Sequence, residues 1–141
     1  MGRILLKNAK IVNDNKIFPA DILLEDDVIL KIEDQISSDS AAKVMDLEGK
    51  YVIPGAIDDQ VHFREPGLTH KGTIATESRA AVAGGITSFM EQPNTNPQTT
   101  TIEALEDKFE MARNSAFANY SFLFGGTNDN LEEIKKLDKN A

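Results

Sequence analysis

The stretch IDDQVHFREPG, residues 57–67, concentrates ionisable and polar side chains at the end of a short apolar run. Residues two apart in an extended strand share a face, so Asp58, Gln60, His62 and Arg64 project the same way if the strand persists that far. The carboxyl ends of parallel strands are where α/β sheets place ligand sites. The set therefore favours a functional site, although each residue alone also fits a structural role, such as a core histidine or a surface ion pair.

A second polar loop, QPNTNP, places Asn94 30 positions after Arg64, which is about one strand–helix unit further on. We expect both residues at the same end of neighbouring strands. A guanidinium binds a carboxylate bidentately, and an amide fixes the orientation of the bound group. The two residues together predict a receptor for a carboxylate, whereas PNTNP alone is better explained as an Asx turn between two prolines.

The elements that must position these residues alternate between strand and helix. Strand patterns occur in YVIPGAID, ITSFMEQ and YSFLFGG. Regular alternation implies parallel strands covered by helices, and the repeat of roughly 30 residues is that of one βαβ unit. Three such units do not close an eight-fold barrel, which takes about 250 residues. We therefore expect either a small open sheet or part of a larger fold.

Three helices are predicted between and after these strands. The first runs from about Thr73 to Ala83 and ends at a Gly-Gly pair. The second begins with a capping-box pattern, Thr100-x-x-Glu103. Its apolar face, and that of the third helix, follow helical spacing; the members are Ile102, Leu105, Phe109 and Ala112 in the second helix and Leu131, Ile134 and Leu137 in the third.

We expect residues 1–52 to form a small β-rich domain and residues 53–141 to form the second domain. The first domain reads as short strands joined by turns at 13–15 and 26–27. In VILKIE, Val28, Leu30 and Ile32 fall on one face of a strand. The change from strand after strand to strand–helix alternation near residue 52 sets the boundary.

Composition excludes several function classes. The 141 residues carry a net charge of −8, so we expect no nucleic-acid or membrane partner. There is no cysteine, which removes disulfides, thiolate metal sites and a cysteine nucleophile. No apolar run is long enough for a signal peptide or a membrane span. We expect a cytoplasmic protein.

The motifs PGAIDDQVHFREPG and QPNTNP together resemble those of dihydroorotases of the amidohydrolase superfamily. The resemblance covers the whole chain, including HKG, AAVAGGIT and GGTNDN. It implies a (β/α)8 TIM barrel, of which this chain holds the first three β/α units after a small β-rich domain. Related allantoinases and hydantoinases share the metal motif but usually lack an Arg at the position of Arg64, so that residue indicates a carboxylate-bearing substrate.

The resemblance also implies the reversible conversion of dihydroorotate and N-carbamoyl-L-aspartate in pyrimidine biosynthesis, assisted by one or two zinc ions. Carried over by position, His62 matches a metal-ligand histidine, and Asp58 matches the motif aspartate near the metal. Arg64 and Asn94 match residues that hold the substrate carboxylate. The other ligands and the catalytic base are expected beyond residue 141, so we expect the 141 residues alone to be inactive.

Gln60 departs from the family pattern because it stands where the first ligand histidine is usual. An amide oxygen is a weaker zinc donor than imidazole, which leaves three outcomes: Gln60 ligates weakly, later ligands suffice, or the site is metal-free. The resemblance is to a branch of dihydroorotases that carries this Gln. The alternative function is a non-catalytic dihydroorotase-like partner of aspartate transcarbamoylase. The expected assembly is a homodimer or that association.

Overall fold

The computed structural model describes residues 2–137. The chain divides into two compact units at the boundary between Pro54 and Gly55. The first unit consists almost entirely of strands, and the second alternates strands with helices. The molecule is thus an α/β protein with a β-rich N-terminal unit.

The first unit is a five-stranded sheet in which β1 is central. The order is β3-β2-β1-β4, and β5 also pairs with β1. β1 and β2 and likewise β2 and β3 are antiparallel, whereas β4 and β5 run parallel to β1. The strands are β1 (Arg3–Asn13), β2 (Lys16–Glu25), β3 (Val28–Glu33), β4 (Lys43–Asp46) and β5 (Tyr51–Val52), with a 3-10 turn at Ser38–Ser40.

Tight turns join the first three strands where Asn and Asp cluster. Asp14 and Asn15 have φ angles of 47° and 59°, and Asp26 has 54°. Asn and Asp enter this left-handed region more readily than other non-glycine residues, because their short side chains bond locally. Both predicted turns are therefore confirmed.

Most buried apolar residues of the first unit lie on β1 and β2. Leu5, Leu23 and Ile36 form one buried cluster, and Ala9, Ile11, Ala20 and Ile22 form another. The predicted apolar face of β3 is not part of these clusters, because Val28, Leu30 and Ile32 are all exposed. The alternation in β3 marks a strand, but within the described residues no layer covers either of its faces.

The second unit is a parallel three-stranded sheet in the order β6-β7-β8. Its elements are β6 (Ala56–Val61), α1 (Ile74–Ala83), β7 (Ile86–Glu91), α2 (Ile102–Ser115), β8 (Asn119–Phe122) and α3 (Leu131–Lys136). The predicted alternation and parallel direction are confirmed. Adjacent parallel strands bring the segments that follow β6, β7 and β8 to the same edge of the sheet.

Threonine residues cap the N-termini of α1 and α2, and the cap predicted for α2 needs correction. The Thr73 side chain accepts the N–H of Thr76 and begins α1 as predicted. The second helix is capped by Thr101, whose hydroxyl accepts the N–H of Ala104, and not by Thr100. The Thr100 carbonyl instead accepts a bond from the Asn130 side chain, which keeps that residue in the preceding loop.

Helices α1 and α2 pack on the sheet around an aromatic core. The Phe63 and Phe89 ring centroids are 4.6 Å apart, and Phe122 meets Phe109 edge-on at 5.1 Å. Leu105, Phe109 and Ala112 of α2 contribute to this core, as the apolar spacing predicts. α3 buries none of its residues, so its predicted apolar stripe is not covered in the described part.

No helix within residues 2–137 is both long and apolar enough to cross a membrane.

Candidate functional site

The site lies where β6 and β7 end. β6 ends at Val61, and His62 follows it directly; Asn94 comes three residues after the last residue of β7. The Nδ1 atom of His62 is 2.9 Å from the Oδ1 atom of Asn94. Both side chains are exposed, so a solute can reach them. The structure thus joins the two predicted loops through a direct side-chain contact.

This contact orients both partners. An amide oxygen only accepts, so Nδ1 of His62 carries a proton, and in the Nδ1–H tautomer Nε2 keeps its lone pair. The same bond turns the Asn94 NH₂ group away from His62, where its two hydrogens remain available to an acceptor. One hydrogen bond therefore places an unprotonated imidazole nitrogen and an amide donor side by side.

Arg64 adopts a backbone conformation that is costly for a side chain of its size. Its φ angle is 73°, and the left-handed region costs an L-residue roughly 1–2 kcal/mol. Its N–H donates to Oε1 of Glu91 at 3.0 Å, and a hydrogen bond to a charged group contributes about 1.5–3 kcal/mol. The carboxylate thus offsets the backbone strain and maintains the turn that begins at Arg64.

Glu91 is paired with a lysine from α2. Its Oε2 atom lies 2.8 Å from Nζ of Lys108, and the two side chains are 0% and 1% exposed. Burial raises the pKa of the Glu91 carboxyl, an effect that the Lys108 ammonium opposes. Burial lowers the pKa of Lys108, opposed in turn by Glu91. This pair was not predicted from the sequence. A charged residue at a core-facing position in both β7 and α2 could have indicated it.

The loops beyond the strands pack closely. The Asn96 N–H donates to the Pro66 carbonyl at 3.1 Å. Gly67 has a φ of +80° and faces the Asn96 backbone so closely that a Cβ would overlap it. Glu65 Oε2 accepts the first N–H of α1, from Ile74, at 2.8 Å. These contacts connect the REPG and PNTNP segments into one rim.

A cavity of about 160 Å³ adjoins Asn94. It is lined by Pro93, Asn94, Gln98, Thr100, Gly125 and Gly126, so it lies between the segments that follow β7 and β8. The Asn130 amide donates to the carbonyls of Thr100 and Gly125, both at 2.8 Å, and thereby holds the two segments together. The cavity provides space for a small polar ligand next to the exposed amide.

The common face predicted for Asp58, Gln60, His62 and Arg64 needs correction. One extra residue of β6 lies between Asp58 and Val61 relative to β7, and the strand ends before His62. The bulge breaks the two-residue period. Oδ1 of Asp58 accepts the Gln60 N–H at 3.1 Å.

The described residues do not assemble a metal-binding cluster. Between residues 2 and 137, no three His, Cys, Asp or Glu side chains come together as a metal cluster. A catalytic zinc site takes three protein ligands and an open position. His62 supplies a free nitrogen, Asp58 an exposed carboxylate and Gln60 an exposed amide oxygen. These donors suit zinc chemically but do not complete a site.

Comparison with known proteins establishes the family. Residues 49–138 match the family described as "Dihydro-orotase-like". The chain belongs to the dihydroorotase-like family. The predicted family membership is confirmed, and enzymes of this family generally use zinc.

Individual relatives of this dihydroorotase-like chain support the same assignment. A dihydroorotase of Methanosarcina mazei is 40% identical over 97% of this chain and 30% of its own length. An L-hydantoinase of Paenarthrobacter aurescens is 34% identical over 97% of this chain and 30% of its own length. The solved L-hydantoinase (dihydropyrimidinase) from Arthrobacter aurescens superposes with a TM-score of 0.90 at 34% identity, covering 96% of this chain and 30% of that one. The chain spans about a third of the length of these relatives.

Proposed function

We propose that this chain is the N-terminal part of a dihydroorotase that interconverts dihydroorotate and N-carbamoyl-L-aspartate. In the hydrolytic direction, water adds to the ring amide carbonyl, the carbon–nitrogen bond breaks and the nitrogen gains a proton. Cyclisation is the reverse, with loss of water. The family match and the dihydroorotase relatives support this proposal.

The observation that carries the proposal is the His62–Asn94 bond at 2.9 Å. It leaves the Asn94 NH₂ group as a donor beside the turn that bears Arg64. A guanidinium and an amide donor together suit a carboxylate. Dihydroorotate carries such a carboxylate, whereas an unsubstituted hydantoin does not. We therefore assign Arg64 and Asn94 to substrate binding and prefer dihydroorotate to the hydantoin chemistry of the structural relatives.

His62 Nε2 would hold zinc, with Asp58 and Gln60 as further candidate donors and the rest supplied by chain beyond residue 141. Bound zinc makes hydroxide available near neutral pH and polarises the amide carbonyl. Asn94 keeps His62 in the tautomer that presents Nε2. The Gln60 position further suggests a branch of the family with an altered first ligand.

The larger architecture follows from the same proposal. The three parallel β/α units correspond to the first three of a (β/α)8 barrel, and residues 53–141 form this part. Residues 1–52 form a small composite domain. We propose a cytoplasmic location and a homodimer or an association with aspartate transcarbamoylase.

A second candidate is a non-catalytic dihydroorotase-like subunit that binds aspartate transcarbamoylase. Gln60 favours it, because an amide replaces the imidazole expected at the first ligand position. In this reading the carboxylate-binding rim persists without turnover. The protein would then purify without zinc but together with the transferase.

Turnover and metal content of the complete polypeptide distinguish the two candidates. The experiment measures hydrolysis of dihydroorotate and of unsubstituted hydantoin, with zinc quantified by plasma emission spectroscopy. The dihydroorotase proposal predicts bound zinc and a clear preference for dihydroorotate. Zinc-free protein that lacks turnover and co-purifies with the transferase would establish the second candidate. A preference for hydantoin would refute the substrate assignment.

A further inference from the structure

A buried ion pair lies directly behind the candidate site. Glu91 is the last residue of β7, and Lys108 projects from α2 to within 2.8 Å of it. The pair lies beside the aromatic core, since Nζ of Lys108 is 4.8 Å from the Phe122 ring centroid. Buried ion pairs contribute little net stability compared with apolar residues of the same volume. Stability alone is therefore a weak reason for placing two charges there.

The carboxylate side of the pair reaches the end of β6. Glu91 Oε1 accepts the N–H of Arg64 at 3.0 Å. Arg64 stands two residues after His62. The conformation of the chain that leaves His62 thus depends on a carboxylate supplied by the neighbouring strand.

The ammonium side of the pair reaches the start of the second loop. Nζ of Lys108 donates to the Gln92 carbonyl at 3.3 Å. Gln92 stands two residues before Asn94, and its own N–H donates to the Val61 carbonyl at 3.0 Å. One buried charge pair therefore contacts the backbone on both sides of the His62–Asn94 bond.

We propose that Glu91 and Lys108 are positioning residues that set the placement of the His62 turn against the Asn94 loop. The pair fixes where the His62 imidazole and the Arg64 guanidinium stand relative to the Asn94 amide. Its effect on turnover rests on the proposed function. Its effect on the His62–Asn94 bond does not, because that bond exists without substrate.

The test uses the complete polypeptide with three changes: Lys108→Met, Glu91→Gln, and both together. Glu91→Gln keeps an acceptor for the Arg64 N–H but removes the charge. The double variant leaves no unpaired buried charge, so it is expected to fold even where a single variant does not. Arg113→Met is the matched control, because Arg113 pairs with Glu110 on the exposed face of the same helix.

The first readout is nitrogen-15 NMR of histidine-labelled, metal-free protein, with the His62 signal assigned by a His62→Asn variant. Wild type and Arg113→Met should show one His62 tautomer, protonated at Nδ1. The double variant, and each folded single variant, should show a mixture of tautomers. The second readout is steady-state kinetics, in which KM for dihydroorotate should rise at least about tenfold, since small misplacements of binding groups have effects of this size.

Specific outcomes would overturn the inference. If the folded double variant keeps the wild-type His62 tautomer and KM, the pair has only a structural role. A wild-type His62 without a dominant Nδ1–H tautomer would equally refute it. If wild type does not turn over dihydroorotate, the proposed function fails, while the NMR comparison still decides the positioning role.

Discussion

Gly67 offers a sharp test of how closely the two site loops pack. Its φ is +80°, and an added Cβ would lie 2.7 Å from the Asn96 Cβ and nearer still to the Asn96 carbonyl oxygen. Gly85 is the matched control, because its φ is +92° but no atom lies within 4 Å of an added Cβ. Gly67→Ala and Gly85→Ala therefore share backbone strain, and only the first adds a collision with backbone.

The expected magnitudes follow from these two contributions. Left-handed strain costs roughly 1–2 kcal/mol in both variants. Overpacking adds typically about 1–3 kcal/mol in Gly67→Ala alone. The urea m-value is about 2 kcal/mol per M for a small domain and about three times that for a polypeptide three times as long, so the Gly67 variant should unfold at a midpoint about 0.2–0.5 M below that of the Gly85 variant.

The assay is urea denaturation of the complete polypeptide followed by circular dichroism, together with KM for dihydroorotate. We expect KM to rise in Gly67→Ala, because the Asn96 segment must move away from the turn after Arg64. Gly85→Ala should leave KM unchanged. Equal midpoints and equal KM values for the two variants would show that the loops do not pack as described.

Two further changes test the site and the N-terminal unit. Asn94→Asp keeps an acceptor for His62 but replaces the NH₂ donor by a carboxylate oxygen, so KM for dihydroorotate should rise at least about tenfold. The control variant Asn96→Asp should leave KM near the wild-type value. Similar KM values for the two variants would exclude Asn94 as a donor. The side chain of Asn8 is the main cause that lowers the pKa of Asp46 below 3.8. This contribution to stability is present above that pH and is lost as pH falls through the folded-state pKa. Urea midpoints should therefore show wild type losing more stability than Asp46→Asn between about pH 5 and about pH 3, and parallel pH profiles would refute the assignment.

Local periodicity was sufficient to predict most of the second unit. Leu105, Phe109 and Ala112 recur at helical spacing and do pack on the sheet. The same reasoning misplaced the α2 cap, because the Thr100-x-x-Glu103 pattern favours Thr100 although Thr101 beside it carries the same capping hydroxyl. Only the loop contact that engages the Thr100 carbonyl separates them.

Features that depend on contacts between distant segments were not predictable in the same way. The Glu91–Lys108 pair joins residues 17 positions apart on different elements. The bulge between Asp58 and Val61 depends on how β6 pairs with β7. By contrast, the approach of His62 to Asn94 was predictable, because equal spacing along parallel β/α units places both at one sheet edge.

The proposed activity depends on recognition of a substrate carboxylate by the Arg64 side chain. The most direct measurement is kcat/KM of Arg64→Met for dihydroorotate and for unsubstituted hydantoin, with Arg113→Met as the control. A hydrogen-bonded charge contributes about 1.5–3 kcal/mol, so activity on dihydroorotate should fall roughly 10- to 150-fold. Activity on hydantoin should change little. Equal losses on the two substrates would contradict this role of Arg64.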